Sequence, residues 1–143
     1  MAEDQKTPLV DEHIALGGRM VSFAGWYMPV EFAGLRAEHI NVREKVGLFD
    51  VSHMGEIWVE GDKSLESLQW LTTNDVSKLE QGQAQYSLLG NTLGVVVYDL
   101  IFYCFYKCRR YILCVNDANI EKDFSWLQEH NRCADITNDS DNW

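Results

Sequence analysis

The sequence predicts an α+β fold built on an antiparallel sheet, and three observations carry that prediction. Two apolar runs rich in β-branched and aromatic residues, 95–106 and 111–116, are separated by the polar stretch 107–110. That is the pattern of a hairpin with a short polar loop. Segments of helical composition or spacing are interspersed among strands without the strict alternation that builds a parallel sheet. The residues are 46% apolar and 24% charged, which is the balance of a globular chain with its own core and not of a disordered one. At 143 residues the length is that of one ordinary domain, able to bury roughly two thirds of the surface its unfolded form exposes.

The elements follow in order. Residues 1–35 show little periodicity and are punctuated by Gly17-Gly18, Gly25, Pro29 and Gly34, so they read as short strands and loops. Residues 36–46 are rich in helix formers, with Gly47 as the expected terminal cap. Residues 48–61 read as a strand, with Ile57 and Val59 on one face and Glu56, Trp58 and Glu60 on the other. Asp62 is the expected N-cap of a second helix whose buried stripe is Leu65, Leu68 and Leu71. A connection through Gly82 leads to a strand over 84–89, and 90–94 is the next turn. The third helix starts near Asp117, with Ile120, Phe124 and Leu127 inward and Glu121, Lys122 and Asp123 outward. The final stretch, ITNDSDNW, is acidic and polar and shows no closing element.

Charge excludes one class of partner. The formal net charge is -10, and an acidic chain repels the phosphate backbone that supplies most non-specific nucleic-acid affinity. The apolar run over 95–106 is broken by Asp99 and is too short to span a membrane. The start, MAEDQKTP, has neither a hydrophobic signal core nor an Arg-rich transit character, which points to a cytoplasmic protein (or, in a eukaryote, a matrix protein lacking its transit peptide). The four cysteines, Cys104, Cys108, Cys114 and Cys133, have no zinc-ligand spacing. They read as free, structural thiols with no metal bound, consistent with a reducing compartment.

Two places stand out chemically. Asp99 is the single carboxylate in a long apolar run, a costly placement if buried without a partner. It is either an edge or partnered structural residue, or a general base or ligand-orienting carboxylate. The stretch from Asp50 to Glu56, DVSHMGE, mixes acid, hydroxyl and imidazole. Neighbours on a strand point to opposite faces, so no Ser/His/Asp triad is implied. Asp50 and Ser52 read as closing a turn, and His53 as a satisfied core histidine.

The chain resembles the glycine-cleavage aminomethyltransferase (T-protein) family. The matching blocks are TPLVDEH at 7–13, GGRMVSFAGWYMPVEF at 17–32, EHINVREKVGLFDVSHMGE at 38–56, LTTNDVSKL at 71–79, QAQYSLL at 83–89, DLIFY at 99–103 and VNDANIEKDFSWL at 115–127. They cover nearly the whole chain in order, and FAGWYMP and FDVSHMGE look like T-protein specifically within a wider folate-binding superfamily, whose sarcosine- and dimethylglycine-oxidising members are the alternative. The resemblance implies a folate-binding domain of which residues 1–143 are the amino-terminal part, with the carboxyl-terminal half and a β-rich final domain absent. It also implies tetrahydrofolate as co-substrate and lipoylated H-protein as partner. In the family the aminomethyl group on the lipoyl arm gives its one-carbon unit to folate N5 with release of ammonia. By the same resemblance Asp99 matches the aspartate that hydrogen-bonds the pterin and supports N5. Met54, Tyr86 and Asn116 match positions lining the folate pocket, and Leu100 and Ile101 flank it. The sequence departs from the family at Tyr98, where an acid is usual, at Leu93, where a glycine is usual, and at Cys104 and Cys108. A glycine at 93 suggests a left-handed turn position, where leucine costs roughly 1 kcal/mol or more. Because family chains run well over twice this length, a non-catalytic folate-binding module is the second function the sequence allows.

Overall fold

The computed structural model describes residues 3–106 and 109–142. Part of the basic turn expected at 107–110, including Cys108, lies outside the described residues. The chain divides into two compact units, Met1–His53 and Met54–Trp143.

The first unit holds helix α1 (Val10–Ala15), the hairpin β1 (Met20–Phe23) and β2 (Trp26–Pro29), and helix α2 (Leu35–Glu44). The short helix corrects the expectation of strands and loops alone. Asp11 and Glu12 in its first turn and His13 in its last complement the helix dipole, a signal that one and a half turns cannot display as periodicity. The antiparallel hairpin pairs Phe23 with Trp26, and its two loop residues, Ala24 and Gly25, have φ of 51° and 91°. Positive φ at both central positions matches the right-handed twist of the strands. Helix α2 starts where Glu38 Oε1 accepts from the amides of Phe32, Ala33 and Gly34 at 2.6, 2.6 and 3.0 Å, satisfying donors that precede the helix. It ends at Glu44, and Lys45, not Gly47, is its cap.

The second unit is a five-stranded sheet in the order β4-β5-β6-β3-β7. Its strands are β3 (Gly55–Glu60), β4 (Ala84–Gly90), β5 (Val96–Phe105), β6 (Arg110–Val115) and β7 (Asp135–Asn138), with helices α3 (Ser64–Leu71) and α4 (Ile120–His130). Every neighbouring pair is antiparallel. The α+β class and the hairpin between the two long apolar runs are as the sequence predicts, with Phe105 opposite Arg110.

Four details differ. Strand β3 begins only at Gly55, because Asp50 and Ser52 close a turn before it: the Ser52 amide donates to Asp50 Oδ1 at 2.9 Å. Helix α3 is preceded by Lys63 rather than capped by Asp62. Its buried residues are Ser64, Ser67, Leu68 and Leu71, an i, i+3, i+4, i+7 stripe that leaves Leu65 exposed. Residues near the terminus do form a closing element, since β7 pairs with β3 along Asp135–Asn138. Leu93 is not at a left-handed position; Gly94 carries the positive φ, 75°, so the expected strain at Leu93 is absent.

The core lies between the sheet and its helices. Ile57, Val59, Leu100, Phe102, Leu113 and Val115 come from the strands, and Leu68, Leu71 and Leu127 from the helices. Burying a leucine fully is worth roughly 1.5–3 kcal/mol, so residues such as Leu68 and Leu127, both 0% exposed, hold the helices down. Trp58 lies on the face opposite Ile57 yet is buried as well. The Arg110 guanidinium sits 3.8 Å over its ring, and its indole N–H donates to Asp139 Oδ2 at 3.0 Å.

Gly55 lets β3 meet α4. A Cβ there would come within 2.7 Å of Ile120 Cδ1 and 3.0 Å of Val115 Cγ2. Gly55→Ala is therefore expected to cost about 1–3 kcal/mol through overpacking, read as a lower urea midpoint at unchanged slope. A midpoint equal to the parent's would show that the helix yields freely.

Candidate functional site

In the second unit one face of the sheet carries the core and the other is left open. Because side chains alternate along a strand, Tyr86, Asp99, Ile101, Tyr103 and Phe105 share the open face. Tyr86, Ile101, Tyr103 and Phe105 are 56, 39, 39 and 42% exposed there. Asp99 sits among them, half-buried. Leu88 stands opposite Asp99 and Tyr86 opposite Ile101, so Tyr86 and Asp99 are diagonal neighbours, within reach of a long side chain. The Tyr86 hydroxyl donates to Asp99 Oδ2 at 3.1 Å. That hydrogen bond, with smaller contributions from burial and the Asp99 charge, pushes the Tyr86 phenol above its ordinary value.

The other expected site residues divide cleanly. The β5–β6 register pairs Ile101 with Cys114. Asn116, two residues on and still extended at φ -72° and ψ 136°, keeps the parity of the open face. Glu56 pairs with Cys114 and so lies on the open face; Met54 directly precedes β3, outside the strand whose alternation would assign it a face. Leu100 does not belong there. It is 3% exposed and packs in the core, opposite Ser87, because one residue along a strand reverses the face. It supports Asp99 from below and does not line the open face.

One acid departs from the sequence expectation and a second, Glu56, keeps to it. Asp123, expected to face out, is 0% exposed. It lies three residues after Ile120 and four before Leu127, which places it on their stripe; that spacing was the available signal, set aside because the residue is charged. Neither of its carboxyl oxygens has a hydrogen-bond partner, and Lys122 Nζ lies 3.7 Å from Oδ1. Burial pushes Asp123 above its ordinary value, Lys122 opposes that, and the Asp99 charge adds to it. Glu56, on the open face, is likewise pushed up, by burial and then by Asp139.

The expectation of four free thiols fails at Cys104, which is disulfide-bonded; Cys114 and Cys133 are free. The compartment argument drawn from reduced cysteines falls with it. Among the described residues no group of three or more His, Cys, Asp or Glu side chains is gathered to hold a metal ion, and no helix is long and apolar enough to cross a membrane. A groove of about 550 Å³ lies along α3, lined by residues including Leu65, Trp70 and Arg132. Its lining contains none of the expected site residues.

In the first unit Asp50 and Ser52 close a turn and anchor a hydrogen-bond network. Asp50 Oδ2 accepts from the Thr7 hydroxyl at 2.7 Å and lies 2.8 Å from His13 Nε2. Burial pushes the Asp50 carboxyl up, but the hydrogen bonds from His13, Ser52 and Thr7 outweigh it and hold the group well below the usual carboxylate range. The partner imidazole is thus His13, not His53. His53 is half-buried against the edge of Trp26 at 6.3 Å, and its Nδ1 has no hydrogen-bond partner, so it is not the satisfied core histidine expected.

Residues 9–143 match the family model described as the GCVT N-terminal domain. The chain belongs to that family. The aminomethyltransferase of Bdellovibrio bacteriovorus is 63% identical over 139 residues, which are 97% of this chain and 39% of that protein. That of Bacteroides thetaiotaomicron is 49% identical over 137 residues, 95% of this chain and 38% of that protein. The crystal structure of glycine cleavage system aminomethyltransferase T from Bartonella henselae superimposes with a TM-score of 0.82 at 34% identity, covering 94% of this chain and 38% of the other. The chain thus spans about two fifths of the length of these GCVT-family relatives.

Proposed function

We propose that the chain is the amino-terminal part of a folate-binding aminomethyltransferase domain, and that the open face around Asp99 takes tetrahydrofolate. The observation that carries this reading is the Tyr86–Asp99 pair, a carboxylate presented beside an exposed aromatic ring, with Ile101 next to them on the same face. Such a face suits a flat heteroaromatic ligand with polar edges: Tyr86 and Ile101 offer surface to stack on, and Asp99 offers an acceptor for a ring N–H. Asn116 adds an amide that can both donate and accept, and Met54 an adaptable apolar wall. Leu100 contributes only by fixing the strand beneath.

When bound, tetrahydrofolate supplies the nucleophilic N5 that receives a one-carbon unit. Asp99 holds a negative charge at the edge where that nitrogen must be oriented and where positive charge develops as it reacts, so it acts by proximity and electrostatics. Tyr86, by donating to Asp99, fixes the carboxylate's direction. In this reading, as the family resemblance implies, the aminomethyl-lipoyl arm of H-protein is the donor, ammonia is released, and the setting is the cytoplasm. The alternative of a non-catalytic module is less favoured, because the relatives matching almost all of the chain are aminomethyltransferases.

Titrating the chain with tetrahydrofolate while following tryptophan fluorescence tests this reading. Saturable quenching that Asp99→Asn weakens about tenfold or more is expected, a change of about 1.4 kcal/mol. No saturable change, or equal affinity in the two chains, would remove folate from this face.

A further inference from the structure

We propose that Lys122 is a positioning residue for Asp99, acting from α4 as a second anchor, beside the β4 ladder, for a strand segment that the sheet itself holds weakly. The segment is the first half of β5. On one side its pairing with β4 shifts register between Leu89 and Gly90, so that Leu89 faces Tyr98 and Gly90 faces Val96. On the other side the ladder with β6 begins only at Ile101 opposite Cys114, so Val96–Leu100 lack β6 partners. Asp99 therefore stands where one ladder is absent and the other has just recovered from a bulge. Such stretches are weakly specified in register and direction.

Lys122 fills the gap. Its Nζ donates to the Val97 carbonyl at 3.3 Å, lies 4.6 Å over the Tyr98 ring and is 3.7 Å from Asp123 Oδ1. One ammonium thus holds the main chain two residues before Asp99 and the side chain one residue before it. Asp123 explains why the lysine stays: a fully buried carboxylate with no hydrogen-bond partner among the described residues attracts the Lys122 ammonium beside it. The charge of the buried acid restrains the lysine, the lysine restrains Val97 and Tyr98, and Asp99 is left pointing at the Tyr86 hydroxyl.

This role rests on Asp99 being the functional group proposed above, but it can be tested without folate. The ring ¹³Cζ resonance of Tyr86 at neutral pH reports what its hydroxyl donates to, and Asp99→Asn gives the reference position for the altered bond. Lys122→Met is expected to move that resonance most of the way to the Asp99→Asn position, and Lys122→Arg to leave it near the parent's. The double variant Lys122→Met with Asp99→Asn should show no further movement, since the lysine acts through the aspartate. A general loss of packing would instead shift core signals such as Phe102 and Leu113. A Tyr86 resonance unmoved in a folded Lys122→Met chain, or moved equally in the arginine variant, would overturn the proposal whatever the folate titration shows.

Discussion

Asp99→Asn is expected to lower methylene-tetrahydrofolate formation about 10²–10⁴-fold in a chain completed to the length of its relatives, with little change in melting temperature. The variant keeps the shape and removes the charge. Its structural cost is small, because Asp99 is half-buried and, among the described residues, accepts one side-chain hydrogen bond, from Tyr86; one such bond contributes on the order of 1 kcal/mol. Its functional cost is large if the carboxylate orients the reacting nitrogen, since a misplaced nucleophile forfeits proximity and electrostatic stabilisation together. A purely structural Asp99 gives the opposite pattern, a lower melting temperature with turnover per folded molecule intact. Paired melting and turnover measurements separate the two, and turnover within a few-fold of the parent would return Asp99 to a structural role.

Asp50→Ala is expected to destabilise the unit Met1–His53 by about 3–5 kcal/mol, because it strands three hydrogen-bonding groups that one buried carboxylate satisfies, each costing roughly 1–3 kcal/mol when left unmet. Asp50 is 3% exposed in its side chain and gathers the His13 imidazole, the Thr7 hydroxyl and the Ser52 amide. Its removal leaves three groups without their acceptor and frees the segment between α1 and the turn before β3. Amide exchange of β1 and β2 should accelerate by the corresponding factor; acceleration below about tenfold would show that the hairpin holds without the pair. The same network sets a pH dependence. A carboxylate with a depressed folded value stabilises above its ordinary value, 3.8 for this aspartate, and loses that contribution as the pH falls toward the folded one. The parent unit should therefore loosen progressively below about pH 4, and Asp50→Ala should flatten that dependence.

The parts of this structure that sequence reveals are those governed by a period. The long β-branched run and its return strand predict the β5–β6 hairpin, and Asp99 is conspicuous because it interrupts that run. The resemblance then indicates Tyr86, Ile101, Asn116 and Met54, and alternation puts Tyr86, Ile101 and the extended Asn116 with Asp99 on one face, while Met54 lies just before its strand. Leu100 was grouped with them by adjacency, and the same alternation sends it into the core. Asp123 was missed because a charged residue on an apolar stripe was assigned by its chemistry rather than by its position. The His13–Asp50 pair joins residues 37 apart in sequence, a separation no local pattern encodes. Helix α1 is too short to show a period, and β7 is held by pairing with β3 rather than by any apolar pattern of its own.

Amide and methyl chemical-shift mapping of the chain with tetrahydrofolate tests the central claim most directly. The account predicts saturable shifts at Tyr86, Asp99, Ile101, Asn116 and Met54, with the α3 groove around Trp70 and Arg132 unaffected. Shifts confined to that groove, or none at the open face at saturating ligand, would contradict it.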